Sequence, residues 1–185
     1  MKVIETGLPG CLVLEPRVFG DDRGFFYESF NRDKLAEAGL SMQFVQGTVS
    51  RSGKGVLRGL HFQNPKAQGK LVSVLEGEVW DVAVDIRRGS PTFGQWEGVV
   101  LGAENKRHFW IPEGFAHGFV VLSEQALFTY LCTDTYAPEA DAGIRWDDPE
   151  LAIDWPMAEP LLSGKDAKLP LLSELPRERL PDYRA

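Results

Sequence analysis

The chain has 185 residues, a formal net charge of −7 and a pI near 5.0, with 43% hydrophobic and 25% charged residues. That is the composition of an ordinary soluble globular protein, long enough for one domain with a core. The acidic balance removes the basic footprint of a nucleic-acid binder and any polybasic membrane patch, so an anionic ligand would have to be held by local Arg and Lys.

Nineteen Gly and twelve Pro imply a turn roughly every ten residues, the spacing of many short strands. From the N-terminus, residues 10–16 form a short apolar run closed by Pro16. Leu8-Pro9-Gly10-Cys11 has the outline of a lipoprotein cleavage box, but the residues before it include Lys2 and Glu5 and no apolar stretch, and that reading is rejected. Asp21-Asp22-Arg23-Gly24 predicts a turn leading into the aromatic strand 25–30. Asn31 is placed to cap a short helix over 32–38, which Gly39 stops in a left-handed conformation. Residues 42–50 read as extended, and 55–63 as the next strand.

A hairpin is predicted from strand 70–75, a tight Glu76-Gly77 turn and strand 78–87. In its second arm Trp80, Val82, Val84 and Ile86 share one face, and Asp81, Ala83, Asp85 and Arg87 the other. Such a polar face either lines a cavity or meets water; alternation does not choose. Residues 93–101, 108–111, 119–122 and 126–133 read as further strands, and Asp147-Asp148-Pro149 as a turn. From about 157 the chain is rich in Pro, Leu and charge and is expected to wrap the domain with a short helix or two. Residues 1–185 are thus read as one all-β domain, a jelly roll or barrel with little helix. No apolar run of about 18 residues occurs, so no membrane span is expected, and the two cysteines, Cys11 and Cys132, do not make a disulfide-stapled scaffold. The expected compartment is the cytoplasm.

Three histidines are candidates for chemistry. On strand alternation Leu57, Gly59, His61 and Gln63 share a face, opposite Arg58, Leu60 and Phe62. His61 would then stand beside a glycine that leaves room for a ligand, or be a hydrogen-bonded core or surface histidine. His117 closes Pro112-Glu113-Gly114-Phe115-Ala116-His117, the P-x-G-x-x-H half-motif of cupin barrels. A metal would need about three ligands, typically with H-x-H upstream. His61 is followed by Phe62-Gln63, so a metal-dependent cupin is disfavoured. His108 has no supporting pattern and reads as structural or exposed. There is no G-x-S-x-G, no G-x-G-x-x-G and no P-loop.

Six segments together resemble the dTDP-4-dehydrorhamnose 3,5-epimerase family, over residues 16 to about 172. They are Phe19-Gly20-Asp21-Asp22-Arg23-Gly24-Phe25-Phe26-Tyr27-Glu28; Val56-Leu57-Arg58-Gly59-Leu60-His61-Phe62-Gln63; Gln68-Gly69-Lys70-Leu71-Val72; residues 77–87; residues 111–119; and Ile153-Asp154-Trp155-Pro156. The resemblance implies a double-stranded β-helix of cupin type without metal or cofactor, usually a homodimer. The implied activity is epimerisation of dTDP-4-dehydro-6-deoxy-D-glucose at C3 and C5.

It also implies roles. His61 matches the base, Asp166 its carboxylate, Tyr130 the acid on the opposite face and Lys70 the residue near the keto oxygen. Arg23, Phe26, Glu28, Gln46, Arg58, His117, Asp141 and Lys165 match substrate-binding positions, and Tyr136 the aromatic that stacks on thymine. These types suit the chemistry. A proton α to a ketone needs a base poised near neutrality, the enolate needs a positive group, inversion needs an acid across the ring, and two phosphates need Arg and Lys. One position departs: Thr48 stands in Gln46-Gly47-Thr48-Val49-Ser50 where the family usually has Asn contacting substrate. Two other readings therefore remain beside the first: an epimerase of one carbon, or of a related keto-sugar, and a sugar-nucleotide binding module without catalysis.

Overall fold

The computed structural model describes residues 1–183. Thirteen strands are named among them: β1 (Lys2–Glu5), β2 (Leu12–Glu15), β3 (Val18–Asp21), β4 (Gly24–Tyr27), β5 (Gln46–Gly53), β6 (Leu57–Gln63), β7 (Lys70–Glu76), β8 (Glu78–Asp85), β9 (Trp96–Gly102), β10 (His108–Ile111), β11 (Phe115–Val121), β12 (Gln125–Cys132) and β13 (Asp141–Gly143). Six form one sheet in the order β1-β2-β10-β7-β12-β5, and five form a second in the order β13-β6-β11-β8-β9. The two sheets face each other as a cupin-like jelly roll. Among the described residues β3 and β4 pair only with each other.

The space between the sheets is filled by one cluster. Val72, Val74, Phe109, Ile111 and Phe128 come from the six-stranded sheet; Val79, Ala83, Phe115, Phe119 and Val121 come from the five-stranded sheet. Phe119 and Phe128 stack across the gap with ring centroids 4.1 Å apart. Burying each such side chain contributes about 1.5–3 kcal/mol, so this layer is the main adhesive between the sheets. The outer face of each sheet is also covered. Helix α1 (Arg32–Glu37) lays Leu35 on Leu14, Leu71 and Trp110 of the six-stranded sheet. Asn31 caps it, its side chain accepting from Lys34 N at 3.1 Å, and Gly39 follows at φ +82°, as the sequence predicts. On the other side Ile144, Leu151, Leu172 and Leu180 cover Leu60, Phe62, Val82, Val84 and Ile86. This covering segment contains three short 3-10 turns, at Asp166–Lys168, Leu172–Glu174 and Arg177–Arg179.

Several expectations change. The 70–87 hairpin does not exist: β7 and β8 lie in opposite sheets, and the Glu76-Gly77 turn is a corner between them. Gly77 takes φ +77°, and a Cβ there would sit 2.0 Å from the Gln125 carbonyl oxygen, so this corner accepts only glycine. The aromatic strand stops at Tyr27 rather than residue 30, residues 42–45 precede the strand instead of joining it, and β11 starts at Phe115, placing His117 within a strand. The polar face of β8 points inward, with Asp81 and Asp85 fully buried. Cys11 and Cys132 are both buried and free. Among the described residues no helix is long and apolar enough to cross a membrane.

Candidate active site

A cavity of about 370 Å³ opens between the sheets, lined by Thr48 and Ser50 of β5, Arg58 and His61 of β6, Lys70 of β7, His117 and Phe119 of β11, Tyr130 of β12, and Ser163, Lys165 and Asp166 of the covering segment. A larger hollow of about 520 Å³ lies elsewhere, beside Arg87, Arg88, Glu113 and Asp182. Its cations are already engaged, Arg87 with Asp85 at 2.7 Å and Arg88 with Asp182 at 2.5 Å.

β6 is shaped for the cavity by a bulge. His61 is opposite His117 and Arg58 opposite Phe119, so three steps along β6 match two along β11. The extra residue breaks strand alternation. Arg58, expected on the face away from His61, therefore lines the same cavity. Gly59 permits this with φ +137°, and a Cβ there would meet Gly118 Cα at 2.5 Å.

Two imidazole–carboxylate pairs stand side by side, their histidines paired directly across the adjacent strands β6 and β11. His61 Nε2 lies 2.7 Å from Asp166 Oδ1, and Gly59 N–H donates to Asp166 Oδ2 at 3.4 Å. Burial pushes the Asp166 carboxyl up, but bonds from His61, Gly59 and Ser163 outweigh it and hold the group below the usual carboxylate range. An ionised carboxylate only accepts, so Nε2 carries the proton and Nδ1 of His61 holds the lone pair. The second pair joins His117 Nε2 to both oxygens of Asp81, at 2.9 and 3.1 Å. Here burial dominates on both members: it raises Asp81 against the pull of His117 and Lys70, and lowers His117. Asp81 was placed on the polar face by alternation, but its partner lies 36 residues away and nothing in the local pattern points to it.

Lys70 is buried, and loss of solvent lowers its ammonium pKa, while Cys132, Asp81 and Asp141 favour the charged form. Burial likewise raises the Tyr130 phenol, with Thr48 and Arg58 opposing. Asp141, Tyr136 and Lys165 meet at one rim: Asp141 Oδ2 accepts from Tyr136 Oη at 3.1 Å and pairs with Lys165. That pairing raises the Lys165 pKa. Gln46 touches both this rim and the cavity, accepting from Tyr136 N and donating to Thr48.

Eleven of the sequence-derived positions thus gather in or around the cavity. Arg23, Phe26 and Glu28 do not. Arg23 and Phe26 sit on the exposed β3–β4 ribbon, and Glu28 follows it, paired with Lys34 and bonded to Asn31. Phe26 is 69% exposed. Ser50, Phe119 and Ser163 line the cavity without having been singled out in the sequence. Asp81, also not singled out, is fully buried and reaches the site only through His117. Alternation could have flagged Ser50, which shares a strand face with Thr48. His108 is structural: it is buried beside Ser73 Oγ, and burial pushes it down to about 4. No group of three or more His, Cys, Asp or Glu placed to hold a metal occurs among the described residues.

The family model of dTDP-4-dehydrorhamnose 3,5-epimerase matches residues 5–174. The dTDP-4-dehydrorhamnose 3,5-epimerase of Pseudomonas aeruginosa is 62% identical over 168 residues, covering 90% of this chain and 93% of that protein. The dTDP-6-deoxy-D-glucose-3,5-epimerase of Legionella pneumophila, solved with dTDP-4-keto-L-rhamnose, superposes with a TM-score of 0.97 at 57% identity, covering 100% of this chain and 99% of that one. A 3'-monoepimerase of Streptomyces bikiniensis, solved with dTDP-quinovose, is more distant: TM-score 0.90 at 36% identity, over 96% of this chain and 92% of that one.

Proposed function

We propose a role for each cavity residue on one premise: the chain belongs to the dTDP-4-dehydrorhamnose 3,5-epimerase family. It is an isomerase that converts dTDP-4-dehydro-6-deoxy-D-glucose to dTDP-4-dehydro-L-rhamnose by inverting C3 and C5, the two carbons flanking the 4-keto group. The observation that carries the residue roles is the His61–Asp166 pair, which leaves a lone pair on a histidine of the cavity wall across from a tyrosine.

His61 Nδ1 takes the proton from the carbon beside the ketone, and the C–H electron pair becomes the enolate. Asp166 accepts from Nε2 throughout, fixing the tautomer and stabilising the imidazolium that forms. The Lys70 ammonium lies where charge grows on the C4 oxygen. The Tyr130 phenol returns a proton to the opposite face and is left as phenolate. Release of the His61 proton to water and uptake of one by Tyr130 reset the pair. Arg58, His117 and Lys165 bind the diphosphate and sugar, Thr48 touches the sugar, and Tyr136 stacks on the thymine with Gln46 and Asp141 around it.

Incubating the protein with substrate in D₂O tests this. Deuterium is expected at both C3 and C5 of the product, because the returned proton comes from a phenol in exchange with solvent. Label at one carbon alone would overturn the double inversion.

We also propose that residues 1–185 act as a single domain, as a homodimer in the cytoplasm. An isolated two-stranded ribbon is marginal in water, yet β3–β4 exposes Val18, Phe19, Phe25 and Phe26 together. A second copy covering that ribbon would bring its Arg23, Phe26 and Glu28 to substrate. A sedimentation mass of one chain at micromolar concentration would refute the dimer.

A further inference from the structure

Tyr136 lies in a stretch, residues 135–137, that follows β12 and precedes β13 without regular structure. Tyr136 is 55% exposed, while Ala137 beside it is buried. Backbone groups in such a stretch need partners from outside it. They find them in Gln63, a buried side chain at the end of β6, two residues after His61. The Ala137 N–H donates to Gln63 Oε1 at 2.9 Å. Gln63 Nε2 donates to the Thr135 carbonyl at 3.2 Å and to the Lys66 carbonyl at 2.8 Å. A backbone N–H only donates and a carbonyl only accepts, so these three bonds admit one orientation of the amide and use both its protons. The Thr135 carbonyl and the Ala137 N–H belong to the two peptide groups that flank Tyr136, so one side chain grips both. Tyr136 N–H goes to Gln46, and the Tyr136 hydroxyl to Asp141, itself the direct cross-strand partner of Gln63.

We propose that Gln63 is a positioning residue for nucleotide binding: by gripping both peptide groups beside Tyr136 it sets the ring in place before the base arrives. The inference rests on Tyr136 stacking on the thymine. An irregular segment that must be ordered on binding costs affinity, and one ordered in advance does not incur that cost. Gln63 does not line the cavity, so its loss loosens the base subsite and leaves the chemistry at His61 alone. One strand thus carries the histidine that takes the proton and, two residues on, the clamp of the nucleotide subsite.

The test measures binding and turnover in Gln63→Met, Tyr136→Ala and the double variant. Methionine keeps the length of the side chain and makes none of the three bonds. Gln63→Met is expected to weaken dTDP binding about tenfold, within the worth of one base stacked on an aromatic ring. Inorganic pyrophosphate, which has no base to stack, should bind as before, and KM should rise while kcat holds. The double variant should bind dTDP no more weakly than Tyr136→Ala alone, because nothing is left to position. Losses that multiply in the double variant would show that Gln63 does not act through Tyr136, and would overturn the proposal with the stacking intact. Equal weakening of dTDP and pyrophosphate by Gln63→Met would also sink it. Unchanged dTDP affinity in Tyr136→Ala would overturn the stacking, and the positioning with it. Gln63→Glu keeps the acceptor for Ala137 N–H but sets an oxygen against two carbonyls, and it gives the same comparison where methionine leaves the chain unfolded. Loss of folding in both variants would make Gln63 a structural residue and overturn the proposal.

Discussion

The two imidazole–carboxylate pairs of the cavity share their chemistry and differ in construction. Asp81 and His117 sit on adjacent strands of one sheet and are largely buried, with side chains 0% and 8% exposed, His117 alone reaching the cavity. Asp166 reaches His61 from the covering segment, and His61 keeps a third of its side chain open. Burial is the largest influence on both carboxylates, but only Asp166 collects enough donors to reverse it. The difference suits the roles proposed for them: a base that exchanges protons with substrate and water needs an open side and an ionised partner, and a group that only holds a ligand is better fixed inside the sheet.

The largest test of this contrast is His61→Ala, expected to cut product formation by on the order of 10²–10⁴-fold with little change in nucleotide affinity. His117→Ala should do the reverse, raising the dTDP dissociation constant more than it lowers kcat. Steady-state kinetics with calorimetric binding checks both, and the same split in the two variants would erase the contrast. Next is stability. Asp81→Ala strips the carboxylate from a buried imidazole and should cost about 3–5 kcal/mol in urea unfolding. Asp166→Ala leaves His61 free to meet water and should cost about 1 kcal/mol, its main effect falling on turnover. Equal losses would show that burial does not separate the pairs.

The third histidine gives a smaller, pH-dependent effect away from the cavity. His108 is pushed down to about 4 by burial, below the ordinary value near 6.5 it has when unfolded. Its neutral form contributes stability that is complete above pH 6.5 and is lost as pH falls toward 4, up to ~3 kcal/mol across that window. The urea midpoint should fall over this range, and His108→Leu should flatten the fall. An unchanged slope in that variant would exclude His108 as its source.

The sequence exposed the strand pattern because glycine and proline punctuate it, and α1 because its cap and stop residues act locally. It misled where a local signal had a non-local meaning. Glu76-Gly77 makes a tight turn whether the flanking strands pair or part, and here each strand pairs with others instead, β7 with β10 and β12, β8 with β11 and β9. Alternation put Arg58 opposite His61 because a bulge depends on the partner strand's register. Asp166 could be matched to His61 only through the family motif, since 105 residues separate them. The His117–Asp81 pair stayed invisible for the same reason, although alternation had placed Asp81 on a polar face.

The covering segment has a consequence for how the chain matures. Every cavity residue up to Tyr130 is carried on a strand, while Ser163, Lys165 and Asp166 arrive with the segment that seals the outside of the five-stranded sheet. The His61–Asp166 contact, which spans 105 residues, therefore forms only when that segment is seated on the sheet. On the proposed roles, docking of the segment and completion of the base are one event.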